Sequence, residues 1–225
     1  MENNVQNNIR SDIRQFAICV MVGGQSKRMG RPKENVIIEG DGRTFLNKIC
    51  DEIDTACCEM VIEDVSEDVS EDVVDSTSEM PCGPIMKKYI SVRAGQKIKR
   101  SGYIPVEDVF DNIGPIGGIA SVLRKAQADG VDAVLFLACD MIRYESAEIQ
   151  RVFEAYKGED VLFARTASRG LQPLASIYSV KVLEAVEKQI EEGDYRLRGI
   201  AGSSANIGYY DAVNEEFYAN VNSLT

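Results

Sequence analysis

A glycine-rich, basic segment near the start of the chain has the composition of a phosphate-binding loop. It reads Gly23-Gly-Gln-Ser-Lys-Arg-Met-Gly-Arg-Pro-Lys33 and follows an apolar run over residues 16–22. Glycines at the end of a strand let backbone N–H groups approach an anion closely, and basic side chains supply the counter-charge that a triphosphate needs. The segment has neither the Gly-Lys-Ser/Thr of a Walker loop nor the GxGxxG of dinucleotide-binding proteins. From these residues alone, a glycine turn with a solvated basic loop stays open as the alternative.

A single carboxylate, Asp140, follows the apolar residues 133–139. A carboxylate at the end of a buried strand is costly unless a cation pairs with it, so the position favours a metal ligand over a plain strand end. The chain contains 0 His, which excludes Ser-His-Asp and Cys-His catalysis. The chemistry therefore has to use carboxylates, lysine, arginine, backbone dipoles or a metal ion.

Alternating apolar patterns predict the elements that position these residues. The predicted strands are 16–22, 89–93, 104–108, 133–139, 160–165, 174–178 and 206–211, with extended pieces at 35–39 and 217–222. The predicted helices are 45–56 after a Thr44 cap, 119–128, 147–156 after a Ser146 cap, and 180–192. This alternation indicates an α/β fold with a doubly wound, mainly parallel sheet in three α/β/α layers. Ligands bind such sheets beyond the carboxyl ends of the strands. Four residues are expected at that edge: Gly23, Ser91, Asp108 and Asp140.

The net charge of −11 comes mostly from one stretch of the chain. Residues 57–86 contain nine acidic side chains and neither Lys nor Arg, so the rest of the chain is nearly neutral. The charge gives no basis for general nucleic-acid binding. We predict one domain over 16–225 behind a polar tail, 1–15, with 57–86 as an acidic, mobile insertion. Valines at every fourth residue of that insertion also fit a weak amphipathic helix.

Membrane and secreted classes are not expected. No apolar run approaches the roughly 20 residues of a membrane span, and the polar tail lacks the apolar region of a secretory signal. We therefore expect a cytoplasmic protein. The six cysteines show no CxxC spacing, which argues against a disulfide framework and a structural zinc site. Cys19 and Cys139 lie in predicted core strands and are expected to pack rather than react.

The pattern Gly23-Gly-x-Ser-x-Arg-Met-Gly-x-x-Lys33 resembles the signature of the MobA-like nucleotidyltransferases, which include the molybdenum cofactor guanylyltransferases. Four later segments agree with the family in order: Val106-Glu-Asp108 before Gly114-Pro-Ile-Gly-Gly-Ile119, Ala138-Cys-Asp140, Gln172-Pro-Leu174, and Phe217-Tyr-Ala-Asn-Val-Asn222. The resemblance covers about residues 16–222 apart from the acidic insertion. It implies a Rossmann-like, Mg²⁺-dependent enzyme that transfers GMP from GTP to molybdopterin, or to the molybdenum cofactor, and releases pyrophosphate.

The same resemblance implies roles for individual residues. The nucleotide-binding positions are Met21, Val22, Gly23, Gly24, Lys33, Ser91, Asp108 and Asp140. The catalytic positions are Lys33, Arg28 and Asp140, and Asp140 is also the implied Mg²⁺ ligand. The positions on the pterin side are Gln172, Asn220 and Asn222. The implied reaction needs no general base, because the attacking phosphate is already ionised at neutral pH.

Three alternatives stay open, and departures from the family pattern bear on the choice of nucleotide. Arg31-Pro-Lys33 replaces x-Asp-Lys and is closer to related cytidylyltransferases, whereas Gly114-Pro-Ile-Gly-Gly and the terminal Asn-Val-Asn favour the guanylyl branch. Met21-Val22 replaces Leu-Ala, which preserves backbone contacts with a bulkier side chain. The alternatives are a CTP-using molybdopterin cytidylyltransferase, a sugar-phosphate nucleotidyltransferase, and a catalytically silent accessory module that binds molybdoenzyme maturation proteins.

Overall fold

The computed structural model describes residues 15–22, 32–65, 87–110, 112–203 and 206–221. Within these residues, seven strands form one sheet. They are β1 (Phe16–Met21), β2 (Lys87–Val92), β3 (Ile104–Glu107), β4 (Ala133–Ala138), β5 (Val161–Thr166), β6 (Gly170–Ser179) and β7 (Ile207–Asp211). Their order is β3-β2-β1-β4-β6-β5-β7. All neighbouring pairs are parallel except those of β6, which runs antiparallel to both β4 and β5.

The helices cover both faces of this sheet. They are α1 (Phe45–Val65), α2 (Pro115–Ala128), α3 (Ser146–Ala155), α4 (Leu183–Glu191) and the short α5 (Ile200–Ser203). Single 3-10 turns occur at Lys33–Asn35, Val180–Val182, Leu197–Gly199 and Glu215–Tyr218. Alternate residues of a strand point to opposite faces. Accordingly, Ile18 and Val20 pack with α1 and α3, whereas Ala17 and Cys19 pack with α2 and α4. The predicted three-layer α/β architecture with a mainly parallel sheet is confirmed.

Helix α1 is longer than the sequence pattern predicted. It was expected to end at Ala56, but it continues to Val65, so the start of the acidic stretch is helical. Cys57 and Met60 pack against the core, and the Gln150 side chain donates a hydrogen bond to Glu59 at 2.8 Å. These contacts extend the helix beyond its strongly apolar part. The rest of the predicted insertion, 66–86, lies outside the described residues, as does most of the polar tail.

Two predicted local structures are wrong. Ser146 does not cap α3, because the helix begins at Ser146 itself and its backbone N–H donates to Glu52 of α1 at 3.0 Å. The terminal piece 217–222 is not extended throughout, since Glu215–Tyr218 forms a 3-10 turn. The Asn214 side chain starts that turn by accepting a hydrogen bond from the Glu216 N–H at 3.1 Å. By contrast, the Thr44 cap of α1 is confirmed, with its hydroxyl accepting from the Asn47 N–H at 3.1 Å.

An ion-pair network fastens the connection between β2 and β3 to α1. The Asp54 carboxylate accepts from Lys88 at 2.7 Å, from Arg100 at 2.9 Å and from the Tyr103 hydroxyl at 3.0 Å. Partial burial alone raises the pKa of the Asp54 carboxyl, but the three donors outweigh burial and bring the pKa below 3.8. Lys88 is the second residue of β2 and Tyr103 directly precedes β3, so this network lies toward the amino ends of these strands, away from the edge where ligands are expected. No helix in the described part of the chain is both long enough and apolar enough to cross a bilayer.

We predict that Asp54→Asn destabilises the protein in a pH-dependent way. The folded-state pKa lies below the unfolded value, so this stabilisation is complete above 3.8 and is lost as the pH falls through the folded-state pKa. The substitution should lower the free energy of unfolding by about 1–2 kcal/mol at neutral pH, because charge-assisted bonds are strong but this group is partly exposed. Urea unfolding of both proteins at neutral pH and below the Asp54 pKa measures the difference. An equal deficit at the two pH values would contradict the prediction.

Candidate functional site

The carboxyl ends of β1, β2, β3 and β4 meet at one edge of the sheet. Backbone hydrogen bonds join them beyond the regular ladders: Val22 N–H to the Ser91 carbonyl at 3.3 Å, and Cys139 N–H to the Met21 carbonyl at 3.1 Å. The Asp108 N–H donates to the Val92 carbonyl at 2.8 Å. Ser91, Asp108 and Asp140 therefore lie along the edge predicted from the sequence. Four predicted site residues fall outside the described residues: Gly23, Gly24, Arg28 and Asn222.

A lysine–aspartate ion pair lies at this edge. Lys33 Nζ is 2.6 Å from Asp140 Oδ2. Asp140 is only 7% exposed, as expected for a carboxylate two residues beyond a buried strand. Lys33 begins the 3-10 turn Lys33–Asn35, which follows the predicted phosphate-binding loop. The structure thus brings the end of that loop and the implied metal ligand together, and the lysine compensates for the burial of the carboxylate.

The turn that carries Lys33 is fastened by a buried glutamate that the sequence analysis missed. Glu34 is 4% exposed and accepts a short hydrogen bond from the Gln96 side-chain amide. The other end of that amide accepts from the Arg93 N–H at 3.0 Å. Gln96 therefore links the Lys33 turn to the connection that follows β2. A single glutamate beside a lysine carries no recognisable signal in the sequence, and only the fold shows that its side chain points inward.

The amino terminus of α2 packs tightly against the ends of β1 and β2 at this edge. Asp108 Oδ1 accepts from the Phe110 N–H at 2.9 Å and from the Ser121 hydroxyl at 3.3 Å. A Cβ at Gly117 would lie 2.9 Å from the same oxygen, which explains the glycine. At Gly118, a Cβ would lie 2.7 Å from both Met21 Cε and Ser91 Oγ. The Gly-Gly pair therefore lets α2 approach these two strand ends.

The same packing buries the Ser91 side chain. Ser91 is 3% exposed, and Gly118 of α2 covers its hydroxyl. Its carbonyl is engaged by the Val22 N–H. Ser91 thus supports the end of β1 from the neighbouring strand β2. That end of β1 carries Met21 and Val22, the residues predicted to offer their backbone to a nucleotide.

The implied pterin-side residues lie at the same edge. The Val221 N–H donates to the Asp140 carbonyl at 3.0 Å, which places Asn220, an exposed residue, one position from a direct contact with the Asp140 backbone. Gln172 lies near the start of β6, and its side-chain amide donates to Thr166 Oγ1 and to the Gly170 carbonyl, both at 3.2 Å. The structure therefore brings Asn220 close to Asp140 and places Gln172 on the β5–β6 hairpin at that edge.

The buried cysteines pack as predicted. Cys19 and Cys139 are 0% and 4% exposed. Burial raises the pKa of both thiols well above the ordinary value, and the neighbouring Asp140 and Glu34 charges raise that of Cys139 further. Thiols with such pKa values are poor nucleophiles. Every cysteine in the described part of the chain is free of disulfide bonds.

The donor set at the edge suits Mg²⁺ shared with a bound phosphate. Among the described residues there is no group of three or more His, Cys, Asp and Glu side chains that could enclose a metal ion. Mg²⁺ is commonly held by one or two carboxylates, with substrate phosphates and water completing its coordination. The Asp140 carboxylate, with a cation already beside it, supplies one hard oxygen ligand of this kind.

Comparison with known proteins shows the family. Residues 18–207 match the MobA-like NTP transferase domain. The chain belongs to the MobA-like NTP transferase family. Its members are nucleotidyltransferases.

Individual relatives are distant but cover most of the chain. A protein of Opitutus terrae named "Probable molybdenum cofactor guanylyltransferase" is 27% identical over 182 residues, or 80% of this chain and 74% of that protein. The "Molybdenum cofactor guanylyltransferase" of Desulfosudis oleivorans is 23% identical over 80% of this chain and 74% of its own length. The structure of molybdopterin-guanine dinucleotide biosynthesis protein A from Archaeoglobus fulgidus has a TM-score of 0.59 at 18% identity, with 92% of each chain covered. A likeness at that identity establishes the fold alone.

We predict that Gly118→Ala disturbs the carboxyl ends of β1 and β2. The added methyl would lie 2.7 Å from Met21 Cε and Ser91 Oγ, so the free energy of unfolding should fall by about 1–3 kcal/mol. Nucleotide affinity should fall with it, because Met21 and Val22 must move. Gly202→Ala is the matched control, since it also adds a methyl to a helical glycine but meets nothing within 4 Å. Urea unfolding and calorimetric binding of a nucleoside triphosphate provide the measurements. Indistinguishable results for the two variants would show that the close approach has no consequence.

Proposed function

We propose that this nucleotidyltransferase transfers GMP from GTP to the terminal phosphate of molybdopterin, or of the molybdenum cofactor, and releases pyrophosphate. One observation carries the proposal: the Lys33–Asp140 pair lies at the same sheet edge as the terminal segment bearing Asn220. The Lys33 ammonium can pair with a triphosphate, and the Asp140 carboxylate can hold the divalent ion that accompanies it. Both lie near a segment that the family resemblance implies to face a pterin. The names of the relatives support the choice of substrates.

The proposed reaction is a direct transfer between the two bound substrates. A phosphate oxygen of molybdopterin attacks the α-phosphorus of GTP in line and forms the new P–O bond. The bond from the α-phosphorus to the bridging oxygen breaks, and pyrophosphate leaves with the electron pair. The attacking oxygen is already ionised, so no proton has to be removed by a side chain. Catalysis then consists of positioning both phosphates and of neutralising the charge that they share.

The residues of the edge have distinct tasks in this scheme. Lys33 and the basic loop that precedes it would bind the phosphates and stabilise the charge on the leaving pyrophosphate. Asp140 would hold Mg²⁺, which polarises phosphate oxygens when bound. Asp108 and the start of α2 form the nucleotide side, whereas Gln172, Asn220 and Asn222 would contact the pterin. Lys33 has a flexible stem, so its ammonium can face either Asp140 or a bound phosphate.

We predict that Lys33→Ala lowers turnover by roughly 10²–10³-fold, the loss typical of a donor that stabilises developing charge. Lys88→Ala is a matched control. Lys88 pairs with Asp54 at 2.7 Å and its side chain is 23% exposed, against 2.6 Å and 24% for Lys33. The control removes a similar ion pair away from the edge and should retain near-normal turnover. Pyrophosphate release at saturating substrates gives the comparison. A loss of less than about threefold for Lys33→Ala would remove Lys33 from the mechanism.

A substrate panel tests the proposed specificity. Pyrophosphate release is measured with GTP, CTP or ATP, each combined with molybdopterin or with a sugar 1-phosphate, and the nucleotide attached to the product is then identified. We expect turnover with GTP and molybdopterin, its loss on chelation of divalent ions, and its recovery on addition of Mg²⁺. Turnover with CTP would instead support the cytidylyltransferase alternative that Arg31-Pro-Lys33 suggests. Turnover with a sugar 1-phosphate would show that the acceptor is a sugar phosphate and not molybdopterin. A protein inactive with every pair would be the accessory module.

A further inference from the structure

A buried carboxylate lies behind the segment that carries Asn220. Glu148 is in the first turn of α3 and is 0% exposed. Its Oε1 accepts from the Tyr218 hydroxyl at 2.8 Å and from the Tyr210 hydroxyl at 3.1 Å. Its Oε2 accepts from Arg151 at 3.1 Å. Glu148 therefore ties three different elements together: its own helix, β7 and the terminal 3-10 turn.

Tyr218 is the connection from this carboxylate to the edge of the sheet. It is 1% exposed, and its ring packs edge-on against Tyr144 with 5.2 Å between the ring centroids. Burial raises the pKa of the Tyr218 hydroxyl far above its ordinary value, as does the proximity of Tyr144 and Glu148. The hydroxyl thus stays protonated and donates to Glu148. The ring contact fixes where the side chain lies, and the hydrogen bond fixes its orientation.

The other end of the segment is attached to the ion-paired aspartate. The Val221 N–H donates to the Asp140 carbonyl at 3.0 Å. Asn220 lies between this attachment and Tyr218, and it is exposed. The backbone of residues 219–221 is consequently held at both ends, first by Glu148 and then by Asp140. An exposed amide side chain on so short a span has little freedom to shift along the edge.

We propose that Glu148 is a positioning residue for the acceptor substrate. Through Tyr218 it fixes residues 219–221 and so aligns Asn220 with the Lys33–Asp140 pair. A buried carboxylate is costly, and an apolar side chain of similar volume often packs at least as well. Three donors on one carboxylate do, however, impose a single arrangement on the groups that supply them. The inference rests on the proposed function only in naming the acceptor that Asn220 would meet.

The test compares two tyrosine-to-phenylalanine variants. Tyr218→Phe and Tyr210→Phe each remove one hydroxyl donor from the same Glu148 oxygen. Only Tyr218 leads directly into residues 219–221, because Tyr210 belongs to β7. We expect Tyr218→Phe to raise the KM for molybdopterin about tenfold, since displaced binding groups lose alignment. The dissociation constant for GTP should stay within about twofold, because the nucleotide side is untouched. Tyr210→Phe should leave both constants near the wild-type values.

A second measurement does not depend on any substrate. Amide hydrogen exchange at Val221, followed by NMR, should accelerate about tenfold in Tyr218→Phe and stay near the wild-type rate in Tyr210→Phe, because local opening governs exchange. Equal exchange in the two variants overturns the inference. An unchanged acceptor KM in Tyr218→Phe also overturns it, as does equal impairment of both variants, which would indicate a merely structural network. If the wild-type enzyme uses an acceptor other than molybdopterin, the proposed function fails, and the same KM comparison with that acceptor still decides the inference.

Discussion

The structure depends on compensating one buried carboxylate. Asp140 follows the buried Cys139 and a strand whose six residues are all buried, so its charge enters a poorly solvated region. An unpaired ion there would be strongly unfavourable. Lys33 compensates for it at 2.6 Å, and this requirement brings a turn from the first β–α connection to the end of β4. The Mg²⁺ proposed to bind at Asp140 would meet the same requirement, because it too places a positive charge beside the carboxylate.

The surroundings of this pair are held by backbone hydrogen bonds and by one side-chain hydrogen bond to a buried glutamate. The Asp140 carbonyl receives the Val221 N–H, and the Met21 carbonyl receives the Cys139 N–H. Glu34 and Gln96 hold the Lys33 turn from the other side. Each connection involves a group that cannot move without breaking a buried hydrogen bond. Such preorganisation suits phosphoryl transfer, in which the protein mainly aligns reactants and provides fixed countercharge.

Much of this arrangement could be predicted from the sequence. Continuous apolar runs identified β1 and β4, and the rule that ligands bind beyond strand ends placed Ser91, Asp108 and Asp140 together. The prediction failed where tertiary contacts determine local structure. Helix α1 continues past Ala56 because Cys57 and Met60 pack against the core. The 3-10 turn at Glu215–Tyr218 depends on the side chain of Asn214, which caps its start. Glu34 and Glu148 could not be recognised, because a glutamate that turns inward looks the same in sequence as a solvated one.

The antiparallel strand β6 divides the sheet edge between two sets of elements. Because β6 runs opposite to β4 and β5, the β5–β6 hairpin and Gln172 project at the same edge as the ends of the parallel strands. One half of the edge is thus built from β1, β2, β3 and α2, and the other from a hairpin and the chain after β7. Under the proposed function, changes in the hairpin or the terminal chain would alter the choice of acceptor without altering the half proposed to hold the triphosphate.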